Sequence, residues 1–260
     1  MNIMNTQKTN WWENLYSDLL AEVLLEDQSN TSLNESIEFL SKTLDLKKGD
    51  RIFDQCCGVG NLAIKLSEKG IKISGVDLGE NYIEKALTKA QSSGIDLTDF
   101  ELVKADAFIY KSPKPCNYAI NWWTGFGYAD SDNQNMEMIK RAYESLIDGG
   151  KYVIDFMNVA QVLKDFKEQV INQKETSFGK VELTRNSRIE LSDGHIYKEW
   201  IFLLESGEKR IHYSKVKLYL PHQIGLFFEQ CGFKNINFYG NIDSQKLSLT
   251  SPRCIIVGEK

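Results

Sequence analysis

The segment Ile52-Phe53-Asp54-Gln55-Cys56-Cys57-Gly58-Val59-Gly60-Asn61-Leu62-Ala63 sets a carboxylate just ahead of a glycine-rich turn, and two further acids follow: Asp77 in Gly75-Val76-Asp77-Leu78, and Asp106 before Ala107. Glycines between a strand and a helix let the backbone turn sharply and approach a ligand, with the helix N-terminal amides aimed at it. A carboxylate at the end of the next strand can accept both hydroxyls of a ribose. Gly58, Gly60 and Ala63 also satisfy the dinucleotide pattern G-x-G-x-x-G/A, so the turn by itself does not choose between cofactors. Taken singly, each acid reads equally well as a strand-end or helix-capping carboxylate. Their joint placement at successive strand ends points to a bound adenosyl group.

A second group is aromatic. Asn121-Trp122-Trp123-Thr124-Gly125-Phe126-Gly127-Tyr128 follows a β-rich run, and ligands of open α/β sheets bind outside the carboxyl ends of the strands. Trp122, Trp123, Phe126 and Tyr128 are therefore candidate acceptor walls, although alternation at a strand end predicts one tryptophan in the core and one in the pocket. Aromatic faces attract cations and exclude water, which suits a positively charged reacting group. Asn121 is the polar residue nearest the predicted reaction centre and, with Tyr128 and His212, a candidate catalytic residue; its other reading is a cap on the loop backbone. Trp12 and Tyr16 share a helical face and either pack locally or close over the site.

Three histidines, His195, His212 and His222, lie in or just after a β-rich stretch near the C-terminal half. A histidine beside an acceptor can take a hydroxyl proton. Among these, His212 with Tyr213 is the preferred pair, and His195 a further acceptor contact; a surface or satisfied core position is the plainer reading of each. The five cysteines show no CxxC pair and no zinc-type spacing, so neither a disulfide framework nor a metal is expected. Cys56 and Cys57 read as small residues packing the turn.

The elements needed to position these residues are legible as period. Apolar residues from Trp12 to Leu24 recur at helical spacing, and a second helix is predicted from Ser32, where Ser32 and Glu35 have capping-box spacing. From residue 51, β-rich runs at 51–54, 71–76, 100–103, 118–122 and 152–156 alternate with helices, which predicts a parallel sheet joined by right-handed crossovers. Runs at 181–184, 189–191, 196–204 and 210–220, with Asp193-Gly194 and Ser206-Gly207 turns, break that rhythm and read as an antiparallel insertion. A helix over 221–230 and strands at 235–239 and 254–258 complete seven core strands.

The acids, the glycine turn and the seventh strand together resemble the class I S-adenosylmethionine-dependent methyltransferases of small-molecule type. The resemblance covers residues 50–158 and 221–260, where Ser251-Pro252-Arg253-Cys254-Ile255-Ile256-Val257 is similar to the family's last strand. It implies a Rossmann-like α/β sheet of order 3-2-1-4-5-7-6, helices on both faces, two N-terminal helices and an antiparallel β insertion after the fifth strand. It implies a helical lid over 1–48, a cofactor-binding core over 49–158 and 221–260, and a cover for the acceptor over 159–220. Asp54 with the Gly58 and Gly60 backbone would hold the methionine portion, Asp77 the ribose, Asp106 and the Ala107 amide the adenine edge, and Leu78 the adenine face, with Trp12 closing as part of the lid. Cys56 stands where the family has its first loop glycine. The Asn121–Tyr128 run is similar to the Ser/Thr-x-Phe-Gly-Tyr stretch bordering the acceptor in such enzymes.

The implied activity is methyl transfer from S-adenosyl-L-methionine, leaving S-adenosyl-L-homocysteine, to a small-molecule acceptor. A nitrogen acceptor is slightly preferred because no strong base for a hydroxyl is visible. Lys+Arg 31 against Asp+Glu 36, a formal charge of −5, argues against a nucleic-acid partner, which would need a basic face. An RNA-modifying methyltransferase, an NAD-dependent oxidoreductase and a non-catalytic cofactor-binding module are the competing readings. No apolar run of membrane-spanning length and no secretory pattern occur, so a cytoplasmic monomer or homodimer, away from membranes, is expected.

Overall fold

The computed structural model describes residues 11–25 and 30–260. Its first elements are α1 (Trp12–Leu15), α2 (Asp18–Leu20), a π-turn over Ala21–Leu25, and α3 (Asn30–Leu44). The single helix expected from Trp12 to Leu24 is interrupted at Tyr16 and Ser17. Ser17 leaves the helical conformation and its Oγ accepts from the Leu20 N–H, the competition between side chain and backbone that makes serine a better cap than helix interior. The break separates two tasks: Leu15, Leu19 and Leu20 turn to one apolar cluster while the Tyr16 ring lies against Tyr82 and Tyr128. Helix α3 starts ahead of the expected Ser32 cap, and the Ser32 carbonyl instead accepts from the Ser36 hydroxyl within the helix.

The core alternates β1 (Arg51–Gln55), α4 (Asn61–Glu68), β2 (Lys72–Asp77), α5 (Glu80–Ser92), β3 (Phe100–Lys104), β4 (Cys116–Asn121), α6 (Asp132–Ser145) and β5 (Leu146–Met157). After α7 (Val159–Lys164) come β6 (Gln169–Thr176), β7 (Gly179–Glu190), β8 (His195–Leu204) and β9 (Lys209–Lys217), then α8 (Pro221–Gln230), β10 (Lys234–Tyr239) and β11 (Arg253–Glu259). The main sheet has seven strands in the order β10-β11-β5-β4-β1-β2-β3. Numbered by core strand alone this is 3-2-1-4-5-7-6, as the resemblance implies. Strand β1, buried at every position, is central, and the chain departs to either side of it towards β2 and β4, opening a crevice at the strand ends. Only β11 runs antiparallel to its neighbours β5 and β10.

The insertion is an antiparallel meander, β6-β7-β8-β9. The runs 181–184 and 189–191 are one strand, because Arg185–Arg188 pairs without interruption with β8. Strand β6, rich in Gln, Asn, Lys and Glu, lies at the sheet edge with most of its residues exposed; polarity hid it from a hydrophobic reading. The inner face of the sheet packs at two ends. Val181, Leu183, Trp200, Phe202 and Leu204 meet Leu15, Leu19 and Leu20, whereas Ile196 and Val216 join the core around Phe126, Phe156 and Tyr219. Among the described residues no helix is long and apolar enough to cross a membrane.

Candidate active site

The carboxyl ends of β1, β2 and β4 converge on a cavity of about 180 Å³. Its lining includes Cys56, Gly58, Asp77, Leu78, Asp106 and Ala107 from the core, and Trp12, Tyr16, Trp122, Trp123 and Tyr128 from the N-terminal segment and the loop after β4. Asp77 organises the core side. Its Oδ2 accepts from the Gly58 N–H at 2.8 Å and its Oδ1 from the Gly79 N–H at 2.9 Å, so one carboxylate ties the glycine turn to the start of α5. Burial pushes its pKa up while those amides pull it back. Asp106 accepts from the Phe108 N–H at 2.8 Å, which fixes the loop after β3.

Asp54 lies one layer beneath, only 3% exposed and outside the cavity lining. Burial first, and then the negative charge of Asp77, push its pKa up to about 8. Among the described residues no cation pairs with it. A carboxyl in that state is mostly neutral near pH 7, and a cation placed beside it would favour the ionised form.

Gly58 and Gly60 have separate reasons to be glycine. At Gly58, with φ +54°, a built Cβ would stand in open space, so the backbone leaves room for a ligand to come against it. At Gly60 a Cβ would come within 2.7 Å of the Ala86 Cβ, so this glycine brings α4 against α5 and is absent from the cavity wall. The first glycine position of the turn, Cys56, has φ +59°, so a residue with a Cβ sits in the left-handed region there. Its thiol reaches the Gly125 carbonyl, and a Cβ on Gly125 would lie 2.9 Å from the Cys56 Cβ: the missing side chain at 125 makes room for the one at 56. Cys57 packs beneath, against Gly75. Burial and the surrounding carboxylates raise both thiols well above their ordinary range, so neither supplies a thiolate.

The aromatic side is held by an arrangement that the sequence did not disclose. Trp123 and Thr124 both have positive φ, and their N–H groups donate to the side chain and the carbonyl of Asp155 respectively, each at 3.0 Å. Asp155, at 3% exposure, is paired bidentately with Arg253, whose guanidinium also lies over the Trp122 ring. Two left-handed non-glycine residues in succession are costly, and this buried pair over-determines them. Asp155 could be suspected only from its isolation in an apolar strand; Arg253, on β11, had no local signal.

Tyr16 donates to the Tyr128 hydroxyl at 2.5 Å, and Tyr128 donates to the Thr124 carbonyl at 3.0 Å. Burial raises both phenols, so neither is ionised near neutrality. Asn121 is fully buried and braces the loop through Nδ2 to the Gly125 carbonyl; its Oδ1 has no partner and it does not line the cavity. Trp122 is buried against Phe39 while Trp123 is only partly buried, and both reach the cavity.

Four candidates lie elsewhere. Phe126 belongs to the core between Phe156 and Tyr219, because the loop turns it inward. His212 stands on β9 against Phe202, His195 is buried at the Asp193 turn beside Tyr197, and Tyr213 is half exposed and bonded to Glu199 on the outer face. Strand register, invisible in the sequence, turns Tyr213 to the outer face and sets His212 on the inner face opposite Trp200, outside the cavity lining. Residues not anticipated in the lining include Asn61, whose amide donates to the Leu25 carbonyl, and Tyr82, whose hydroxyl donates to the Ser17 carbonyl. Both tie the N-terminal segment to the glycine turn and α5.

Residues 52–150 match the family model described as a methyltransferase domain. Over those residues the chain is similar to a methyltransferase domain, and its fold is that of solved S-adenosylmethionine-dependent methyltransferases. This methyltransferase fold is shared with a solved S-adenosylmethionine-dependent methyltransferase from Clostridium acetobutylicum, 16% identical with a TM-score of 0.75, over 93% of this chain and 96% of that one. It is shared also with the sugar N-methyltransferase KedS8 from Streptoalloteichus, 16% identical with a TM-score of 0.71, over 100% of this chain and 99% of that one. In sequence, a 23S rRNA (uracil(1939)-C(5))-methyltransferase from Neisseria lactamica is 35% identical over 75 residues, 28% of this chain and 17% of the relative. The methyltransferase match to curated relatives of this kind thus spans well under a third of their length.

Proposed function

We propose that the protein transfers the methyl group of S-adenosylmethionine to a nitrogen of a small-molecule acceptor. The observation that carries the nitrogen assignment is the composition of the acceptor-side wall: Trp12, Tyr16, Trp122, Trp123 and Tyr128 include no histidine and no carboxylate, and the two phenols are held protonated. An amine that arrives unprotonated needs no base from the protein, whereas a hydroxyl usually does. The fold shared with a sugar N-methyltransferase supports the same reading.

The residues present fit the cofactor. Gly58 leaves its backbone open, Asp77 and Asp106 face the cavity, and Asp54 is a buried carboxylate without a counter-ion. Asp54 and the Gly58 backbone would hold the methionine ammonium and carboxylate, Asp77 the ribose hydroxyls, and Asp106 with Ala107 the adenine edge beside Leu78. Cys56 would border the methionine portion. When bound, S-adenosylmethionine supplies an electrophilic methyl group on a sulfonium. The chain's own part is to align the acceptor behind that methyl and to exclude water. The Trp12 and Tyr16 segment, docked on Tyr128 and Phe108, serves as the lid that does so. Asn121 and the Asp155–Arg253 pair act through the loop, by fixing where Trp122, Trp123 and Tyr128 stand.

A methyl-transfer screen over amines, amino sugars, phenols and RNA tests the reading. Turnover of an amine, with an unchanged pH profile in Tyr16→Phe and Tyr128→Phe, is the expected result. Turnover of phenols alone would overturn the nitrogen assignment. The local match to an rRNA methyltransferase favours RNA as a second reading, and methylation of RNA with no small-molecule turnover would establish it instead.

A further inference from the structure

The inner face of the insertion sheet carries a polar row between its two apolar ends. On β7, β8 and β9, Trp200 stands between Arg185 and His212 in one inward row, and Ser187, Lys198 and Ser214 face one another across the next. Arg185 Cζ lies 5.6 Å and Lys198 Nζ 5.7 Å from the centre of the Trp200 ring, so two cations share one indole. The ring is fixed by its own N–H, which donates to Ser214 Oγ at 2.8 Å. Arg185 Nε is buried without a partner.

Among the described residues no carboxylate pairs with either cation. The adjacent acid, Glu199, points to the opposite face, where it is engaged by Asn186 and Tyr213. Burial, and then the charge of Arg185, press the Lys198 ammonium down to about 8, and burial alone lowers Arg185. Like charges held together on a partly buried surface are unfavourable unless an anion joins them.

The row faces the seam between core and lid. One end of the inner face packs on the lid leucines and Trp11, the other on the core. Trp11 in turn lies 4.9 Å, ring to ring, from Tyr128 of the cavity wall, and the Gly127 carbonyl beside it accepts from the Lys217 N–H of β9. We infer that Arg185 and Lys198 form an anion-binding subsite on the insertion sheet, which takes the phosphoryl or carboxylate group of an acidic methyl acceptor. As an acceptor subsite it rests on the methyltransferase reading; as an anion site it stands alone. The arginine fork and the lysine point charge suit phosphate and carboxylate oxygens alike, and Ser187 lies in the same row.

The test is titration of the full chain with inorganic pyrophosphate and, separately, with malonate, followed by tryptophan fluorescence and calorimetry, alongside S-adenosylhomocysteine binding. Lys198→Met and Arg185→Met should each weaken the preferred anion at least tenfold while S-adenosylhomocysteine affinity stays unchanged, which also shows that the variants are folded. Trp200→Phe should abolish the fluorescence change without abolishing binding. Preference for pyrophosphate identifies a phosphorylated acceptor, and preference for malonate a carboxylate. If neither anion binds, or both bind the variants as well as the parent, the subsite is wrong although the cofactor reading stands. If the anion site behaves as described and S-adenosylhomocysteine does not bind, the subsite survives and the methyltransferase reading fails.

Discussion

Asp54 offers the sharpest test of how the cofactor is held. In the free protein its pKa is pushed up to about 8 by burial and by Asp77. At pH 7 such a carboxyl is about 90% protonated and at pH 6 about 99%, from the one-site titration equation. An ammonium arriving beside it is stabilised by the ionised form. Binding of S-adenosylhomocysteine at pH 7 should therefore release about 0.9 proton, and between pH 6 and 7 the affinity should rise about ninefold, roughly 1.3 kcal/mol. Below about pH 7 the ligand's own α-amino group remains charged, so that window isolates Asp54. Proton release is read by calorimetry in buffers of different ionisation enthalpy. Asp54→Asn should abolish both the release and the pH slope. For folding, the sign follows from the same shift: the folded state binds the proton more tightly than the unfolded one, so Asp54 favours folding below its ordinary pKa of 3.8 and that advantage is lost as pH rises through about 8. Cofactor affinity that is flat from pH 6 to 7, with no proton released, would falsify the assignment of Asp54 to the ammonium.

Asp77→Ala removes the acceptor for two backbone amides as well as the proposed ribose contact, and should weaken S-adenosylhomocysteine by about 2–4 kcal/mol in the same titration; unchanged affinity would put the ribose elsewhere. Arg253→Ala leaves Asp155 buried without its partner and should lower the unfolding free energy by about 3–5 kcal/mol in urea, with a matching shift in tryptophan emission as the Trp123 turn relaxes. Gly60→Ala meets Ala86 and an unfavourable φ together, and should cost about 1–3 kcal/mol of stability while leaving cofactor affinity in the folded protein near normal. Cys56 and Cys57, with thiols raised by burial, should resist iodoacetamide at pH 7.5 in the native protein and react on unfolding; rapid native labelling would contradict their protonated state.

The strand order came from the family resemblance, whereas the alternation of core strands and helices was legible because each parallel strand contains a short apolar run and the helices between them keep one apolar face. The glycine turn and the three carboxylates were legible for the same reason: they are local in sequence. What escaped was non-local or polar. Strand β6 pairs through its backbone and through polar side chains, Gln169 with Asn186 and Gln173 with Glu182, and Val170 and Ile171 are too few to give it a hydrophobic signature. Asp155 and Arg253 meet only because β11 returns antiparallel beside β5. Tyr213 changed meaning once the register of the insertion turned it to the outer face, and His212 because its inward position opposite Trp200 lies outside the cavity lining. Gly60 looked like part of a ligand loop until the nearness of Ala86 explained it by helix packing.

The docking of Leu15, Leu19 and Leu20 on Val181, Leu183, Trp200, Phe202 and Leu204 has a consequence for synthesis. The segment made first binds a surface completed about 180 residues later. At 5–20 residues per second it waits about 10–40 s on the ribosome for its partner. Through that interval the early leucines and Trp11 have only the nascent core to rest on. The strand that carries Arg253 comes later still, so the loop bearing Trp122 and Trp123 gains its Asp155 brace only when translation is nearly complete.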